Sequence, residues 1–124
     1  MSLNDYISVS GQLKEQESIY IIKQVLEGIN YIHDQGYIHC DIKSRNILLN
    51  FDADGVVKDV KICDFGLTKY DSGNLTVSAN TCGTLQYMAP EMLIDQNKYS
   101  KSVEAWSLGV LLCRMLTGYL PFAS

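Results

Sequence analysis

Apolar residues in the first third of the chain recur at a helical period. Ile19, Ile22, Val25, Leu26, Ile29 and Ile32 fall on one amphipathic pattern, which predicts a helix over about residues 14–35. Gly36 stands where a C-terminal cap belongs. The pattern then changes. Two short aliphatic and β-branched runs, Ile47–Asn50 and Val56–Cys63, flank Asp52-Ala53-Asp54-Gly55 and predict a β-hairpin. Residues 67–86 are largely polar and without period, which predicts a long loop of the kind compact domains use for function. A second helix is expected from near Ser102, with Glu104 in its first turn, to about Thr117, ahead of Gly118 and Pro121. From Ala105 to Leu116 it is apolar on nearly every side, Ser107 and Arg114 excepted, which predicts burial all round.

The fold class is therefore mainly α with a small β-hairpin. The length of 124 residues suits one modest domain. Composition acts mostly by exclusion. A hydrophobic fraction of 47% is that of a globular protein rather than a disordered one. A net charge of −4 with no run of like charges argues against a nucleic-acid partner. The apolar run Leu108–Cys113 stops at Arg114 and is too short to cross a bilayer, so no membrane association is expected. The N-terminus lacks a basic-then-apolar leader, and the expected location is cytoplasmic. Cys40, Cys63, Cys82 and Cys113 are widely spaced and form no C-x-x-C, which predicts reduced, mostly buried thiols.

Three separated clusters carry the candidate chemistry. They are His39-Cys40-Asp41-Ile42-Lys43-Ser44-Arg45-Asn46, then Asp64-Phe65-Gly66 after the second strand, then Ala89-Pro90-Glu91 behind Cys82-Gly83-Thr84. Each alone has a plain structural explanation. Asp-Phe-Gly can end a strand in a turn, Ala-Pro-Glu can start a helix, and a lone histidine is more often a hydrogen-bonded core residue than a catalyst. Their order and spacing together exclude those explanations.

With these residues in place, the sequence resembles the eukaryotic protein kinase family, serine/threonine type, over essentially its whole length. The resemblance implies one partial kinase domain over residues 1–124: a kinase-like large lobe, incomplete, with no N-lobe and without the closing helices. It implies transfer of the ATP γ-phosphate to a Ser or Thr hydroxyl of a protein substrate, with ATP and Mg²⁺ as cofactors. Asp41 resembles the aspartate that orients the hydroxyl and accepts its proton. Lys43 resembles the lysine set against the transferred phosphate, and Thr84 the threonine that holds this pair in serine/threonine kinases. Asn46 and Asp64 resemble the metal ligands, hard oxygen donors suited to Mg²⁺. Leu48 resembles the floor under the adenine ring, with Leu111 and Met115 its support. His39 and Phe65 match packing residues that stack in the active arrangement.

The departures from the pattern are as informative. Cys40 replaces the arginine that pairs with an activation-loop phosphate, so phosphorylation at Thr76, Ser78 or Thr81 is not expected to switch the enzyme on by that route. Glu104 replaces an aspartate that accepts from the catalytic-loop backbone, and its extra methylene predicts a less accurate hold. Arg45 and Arg114 stand where kinases selecting basic substrates carry glutamates; either they lie on a solvated face, or the resemblance implies no selection for upstream arginine and room for acidic neighbours. The nine glycines include no G-x-G-x-x-G, and Lys23 in Tyr20-Ile21-Ile22-Lys23 reads as a solvent-facing helix lysine. Without the closing helices the second helix is expected to expose apolar surface, so the isolated chain is expected to be poorly soluble and inactive. The alternative function is a non-catalytic, pseudokinase-like binding or scaffold module; intact Asp41, Lys43, Asn46 and Asp64 favour the enzyme.

Overall fold

A computed structural model describes residues 1–70, 84–94 and 101–122. Thr76, Ser78, Thr81, Cys82 and Gly83 lie outside the described residues.

Helix α1 (Leu3–Ser10) opens on Ser2, whose hydroxyl accepts the Asp5 N–H at 3.0 Å. Leu3 and Ile7, one turn apart, are both buried. Helix α2 (Glu15–Asp34) has no side-chain cap at Lys14, but Glu15 and Glu17 place negative charge at the positive end of its dipole. It buries Ser18, Ile21, Val25, Ile29 and Ile32, while Ile19 and Leu26 lie on the exposed side. The expected stripe is thus rotated, because both flanks of this helix are apolar and sequence alone does not choose between them. Lys23 is exposed on α2 as expected. At Gly36 the chain reverses with φ +86°, its N–H donating to His33 O at 2.9 Å, a conformation that favours glycine.

Strands β1 (Tyr37–Ile38), β2 (Ile47–Phe51), β3 (Val57–Ile62) and β4 (Lys69–Tyr70) make two antiparallel pairs. β2 and β3 form the expected hairpin, in register from Ile47 opposite Ile62. The turn is closed by Asp52, whose carboxylate accepts the N–H groups of Asp54 and Val56. β1 pairs with β4, so the region expected to be loop from residue 67 opens with a short strand. Two residue pairs are too few to show a period.

Helix α3 (Pro90–Ile94) follows a 3-10 turn at Leu85–Tyr87, with Pro90 at its first position. Helix α4 (Lys101–Thr117) buries Val103, Glu104, Ser107, Val110, Leu111 and Met115. Its other side departs from burial all round and agrees with the expectation that this helix exposes apolar surface where closing helices do not cover it. Ala105, Trp106, Gly109, Cys113 and Leu116 are exposed, because α2 and the 3-10 turn pack on one face only among the described residues. There the Trp106 and Phe122 rings stack at 5.8 Å and 14°. They line an apolar cavity of about 350 Å³ with Gly109 and Cys113.

The main core joins Leu3 and Ile7 of α1 to Ile21, Val25 and Ile29 of α2, Ile47 and Leu49 of β2, and Leu111 and Met115 of α4. The cysteines differ from expectation: Cys40 is buried, Cys63 half-buried and Cys113 exposed. Among the described residues no helix is long and apolar enough to cross a membrane.

Candidate active site

The segment between β1 and β2 carries most of the candidate residues, and it is held from below. Its central anchor is Glu104 on α4, a buried carboxylate. Glu104 Oε1 accepts the His39 N–H at 3.1 Å, and Oε2 accepts the Cys40 N–H at 3.1 Å. Cys40 has φ +74°, a left-handed conformation that costs a non-glycine residue about 1 kcal/mol or more. The paired N–H bonds to one carboxylate hold that conformation. The longer side chain predicted a looser grip, yet both oxygens engage the loop. His33, in the last turn of α2, adds a third contact to Glu104 Oε1 at 2.8 Å.

His39 is fully buried and links the two halves of the site. Its Nδ1 accepts the Asp41 N–H at 3.1 Å, which leaves Nε2 to carry the proton and donate to Cys63 O at 3.0 Å. The ring meets Phe65 edge-on at 5.1 Å and 68°. The expected His39–Phe65 contact is therefore present.

Asp41, Lys43 and Thr84 form one hydrogen-bonded group. Lys43 Nζ donates to Thr84 Oγ1 at 2.9 Å and lies 3.7 Å from Asp41 Oδ2. Thr84 Oγ1 donates in turn to Asp41 Oδ1 at 3.4 Å. Thr84 comes from the far side of the long segment after β4, so a contact over 43 positions brings it here. The Asn46 amide donates to Asp41 O at 2.8 Å and to Asp41 Oδ2 at 3.1 Å. Both amide hydrogens are thus committed, and Asn46 Oδ1 keeps its lone pairs.

The hairpin brings Asp64 to the same end. Asn46 O accepts the Cys63 N–H at 2.8 Å, so Asp64 follows directly on the residue bonded to Asn46. Asp64 has φ +60°, and its Oδ1 accepts the Gly66 N–H at 3.3 Å. Partial burial, with Asp64 beside it, pushes the Cys63 thiol up from its ordinary value. Leu48 is 41% exposed, since strand alternation turns Ile47 and Leu49 into the core and Leu48 away from it. Leu111 and Met115 accordingly pack in the same cluster as Ile47 and Leu49.

Two supporting residues were not evident from sequence. His33 carries only the weak signal of a histidine in a helix's last turn. Tyr87 reaches Ser44 over 43 positions: its hydroxyl accepts the Ser44 N–H at 3.4 Å and donates to Ser44 Oγ at 3.2 Å. Ser107 of α4 fixes Tyr87 by donating to its carbonyl at 2.8 Å.

A helical body with a hairpin that sets an Asp-x-Lys-x-x-Asn loop beside Asp-Phe-Gly defines a class, and comparison with known proteins gives it a family. The model of the protein kinase domain matches residues 1–124. A calcium/calmodulin-dependent protein kinase type 1 of Caenorhabditis briggsae is 44% identical over 122 residues, covering 97% of this chain and 32% of that protein. The serine/threonine-protein kinase cds1 of Schizosaccharomyces pombe is 41% identical over 127 residues, covering 98% and 26%. The serine/threonine-protein kinase SCH9 of Candida albicans is 39% identical over 118 residues, covering 94% and 14%. The chain belongs to the eukaryotic serine/threonine protein kinase family. It spans about a third or less of the length of these relatives.

Proposed function

We propose that these residues are the phosphoryl-transfer machinery of a cytoplasmic serine/threonine protein kinase, acting in the protein that carries this chain. The observation that carries the reading is the closed group of Asp41, Lys43 and Thr84 with Asn46 bonded to its edge. Asp41 orients the Ser or Thr hydroxyl of a protein substrate. As the hydroxyl oxygen bonds to the γ-phosphorus of ATP and the bond to the β,γ-bridging oxygen breaks, the hydroxyl proton passes to the Asp41 carboxylate. Lys43 holds positive charge beside the phosphate in flight, and Thr84 fixes the lysine so that it does not collapse fully onto Asp41.

The donor set fits Mg²⁺. Asn46 Oδ1 and the Asp64 carboxylate are hard oxygens left available by the hydrogen bonds above, and this ion needs few protein ligands. Magnesium bound there would neutralise charge on the ATP phosphates. The exposed Leu48 supplies an apolar surface for the adenine ring. No G-x-G-x-x-G occurs in these residues, and the 124-residue chain alone is expected to transfer no phosphate.

The test is phosphate transfer by the intact protein with ATP and Mg²⁺, on matched serine, threonine and tyrosine peptides. Serine or threonine should be labelled. Asp41→Asn should lower kcat by about 10²–10⁴-fold with unchanged thermal unfolding. Full activity in Asp41→Asn, or labelling of tyrosine alone, would sink the reading. A well-folded intact protein with no transfer at all would favour a binding module instead.

A further inference from the structure

Thr84 grips the Lys43 ammonium at 2.9 Å, but that bond alone does not fix the lysine. The two residues are 41 positions apart, and the lysine reaches across on a flexible four-carbon stem. Both side chains are half-buried, so water competes for each. A stiffer tie has to set the spacing between the catalytic segment and the turn that carries Thr84.

That tie lies at Ser44 and Tyr87. Ser44 follows Lys43, Tyr87 ends the 3-10 turn that Thr84 opens, and both are buried. The Ser44 N–H donates to the Tyr87 hydroxyl at 3.4 Å, and that hydroxyl donates to Ser44 Oγ at 3.2 Å. Ser44 Oγ in turn donates to Asn4 Oδ1 of α1 at 3.2 Å. The hydroxyl donations run one way, Tyr87 to Ser44 to Asn4, so each proton has its own acceptor. The Tyr87 N–H donates to Thr84 O at 2.9 Å, and its carbonyl accepts from Ser107 Oγ of α4 at 2.8 Å.

A ring of contacts therefore closes on Lys43. It runs from Nζ to Thr84, from Thr84 O to the Tyr87 N–H, from the Tyr87 hydroxyl to Ser44, and through the peptide bond back to Lys43. Tyr87 is the stiff member of that ring, with few side-chain torsions to freeze. Asn46 does not depend on it, since two bonds from its amide already hold it to Asp41. The residue whose place depends on Ser44 is Lys43.

We infer that Ser44 and Asn4 are positioning residues for phosphate transfer, acting through Lys43. Ser44 pins the backbone beside the lysine, and Asn4 makes α1 the outer anchor of that pin. Without the pin the ammonium is free to close the 3.7 Å gap to Asp41, which withdraws positive charge from the phosphate. Asn4, Lys43, Ser44, Thr84 and Tyr87 all stand on the wall of one cleft of about 560 Å³ beside Lys43. The inference rests on the kinase reading for the role of Lys43.

The experiment measures transfer by the intact protein. Ser44→Ala should lower kcat about fivefold to tenfold, the worth of an ordinary hydrogen bond, with KM for ATP and peptide little changed. Asn4→Leu should lose a similar factor, and Asn4→Asp, which keeps the acceptor oxygen, should recover most of it. The deciding arm is Lys43→Ala. In that background Ser44→Ala should change the residual rate by less than about twofold, whereas simple loss of folded protein would lower both backgrounds alike. Equal losses in the two backgrounds, or Asn4→Asp as poor as Asn4→Leu, would overturn the positioning role. Hydrogen exchange separates this inference from the kinase reading. Exchange across residues 41–46 of the intact protein should accelerate about tenfold in Ser44→Ala and in Asn4→Leu. Unchanged exchange overturns the pin at any rate of transfer; accelerated exchange without transfer removes the kinase reading and leaves the pin.

Discussion

The two arms of the candidate site are built to different standards of rigidity. The segment with Asp41 is fastened at its base by groups from three elements, buried Glu104 and Ser107 of α4, half-buried His33 of α2 and buried Tyr87 of the 3-10 turn. The arm with Asp64 has far less beneath it. Asp64 and Phe65 are exposed, and this arm is tied mainly by the Cys63 N–H to Asn46 O, the Gly66 N–H to Asp64, the Thr68 N–H to Phe65 O, the Thr68 hydroxyl to His39 O and the edge of His39. The difference fits the chemistry proposed. A group that must meet a hydroxyl in one geometry gains from over-determination, whereas a group that follows a metal and a nucleotide can be ordered by them.

Three substitutions and one labelling experiment would break or sharpen this contrast. Glu104→Ala should have the largest effect, about 3–5 kcal/mol lost in urea unfolding, because it strands two buried N–H groups and the His33 ring. If it cost no more than a change at Asp64, the first arm would not be anchored as described. Tyr87→Phe should cost about 1 kcal/mol through its bonds to Ser44. Asp64→Asn should shift unfolding by about 0.5 kcal/mol or less, since the side chain is exposed and asparagine also tolerates φ +60°, while it weakens Mg²⁺-dependent transfer in the intact protein.

The smallest effect is chemical. Toward iodoacetamide at neutral pH, among the described cysteines exposed Cys113 should react first, Cys63 more slowly and buried Cys40 last, with peptide mapping as the measurement. Cys63 holds its proton because partial burial and then Asp64 push its thiol up, so its labelling should accelerate only at alkaline pH, and earlier in Asp64→Asn. The sign for stability follows: this raised thiol favours the folded state below the ordinary cysteine range and loses that contribution as pH climbs through its folded value. Cys40 reports on the anchored arm, and Glu104→Ala should expose it. Identical labelling of Cys40 in both proteins would contradict that anchoring.

What sequence revealed depended on how local the determinant was. The α2 helix and the β2–β3 hairpin announce themselves through period and turn chemistry, within a few residues of where they lie. The Asp41, Lys43 and Asn46 cluster was readable because its spacing is short and fixed by a single loop. Helix α1 was missed, since it buries only Leu3 and Ile7, although Ser2 and Asp5 do mark its start. The β1–β4 pair, the reach of Tyr87 to Ser44 and the His33–Glu104 contact all join residues more than 25 positions apart. Such contacts arise from packing, and no run of residue types encodes them. Glu104 shows the limit from the other direction. Its role as backbone acceptor was legible from position, but the accommodation of its extra methylene depends on how α4 sits under the loop.

The stacked pair on the outer face of α4 gives the molecule an optical handle. Trp106 is the single tryptophan, so all indole emission originates beside Phe122, on the apolar side of the helix. Covering that side would move the emission to shorter wavelength, while the cleft beside Lys43 is lined by residues other than the indole. One fluorophore already in the chain can therefore tell a change of surroundings along α4 from occupancy beside Lys43, with no label attached.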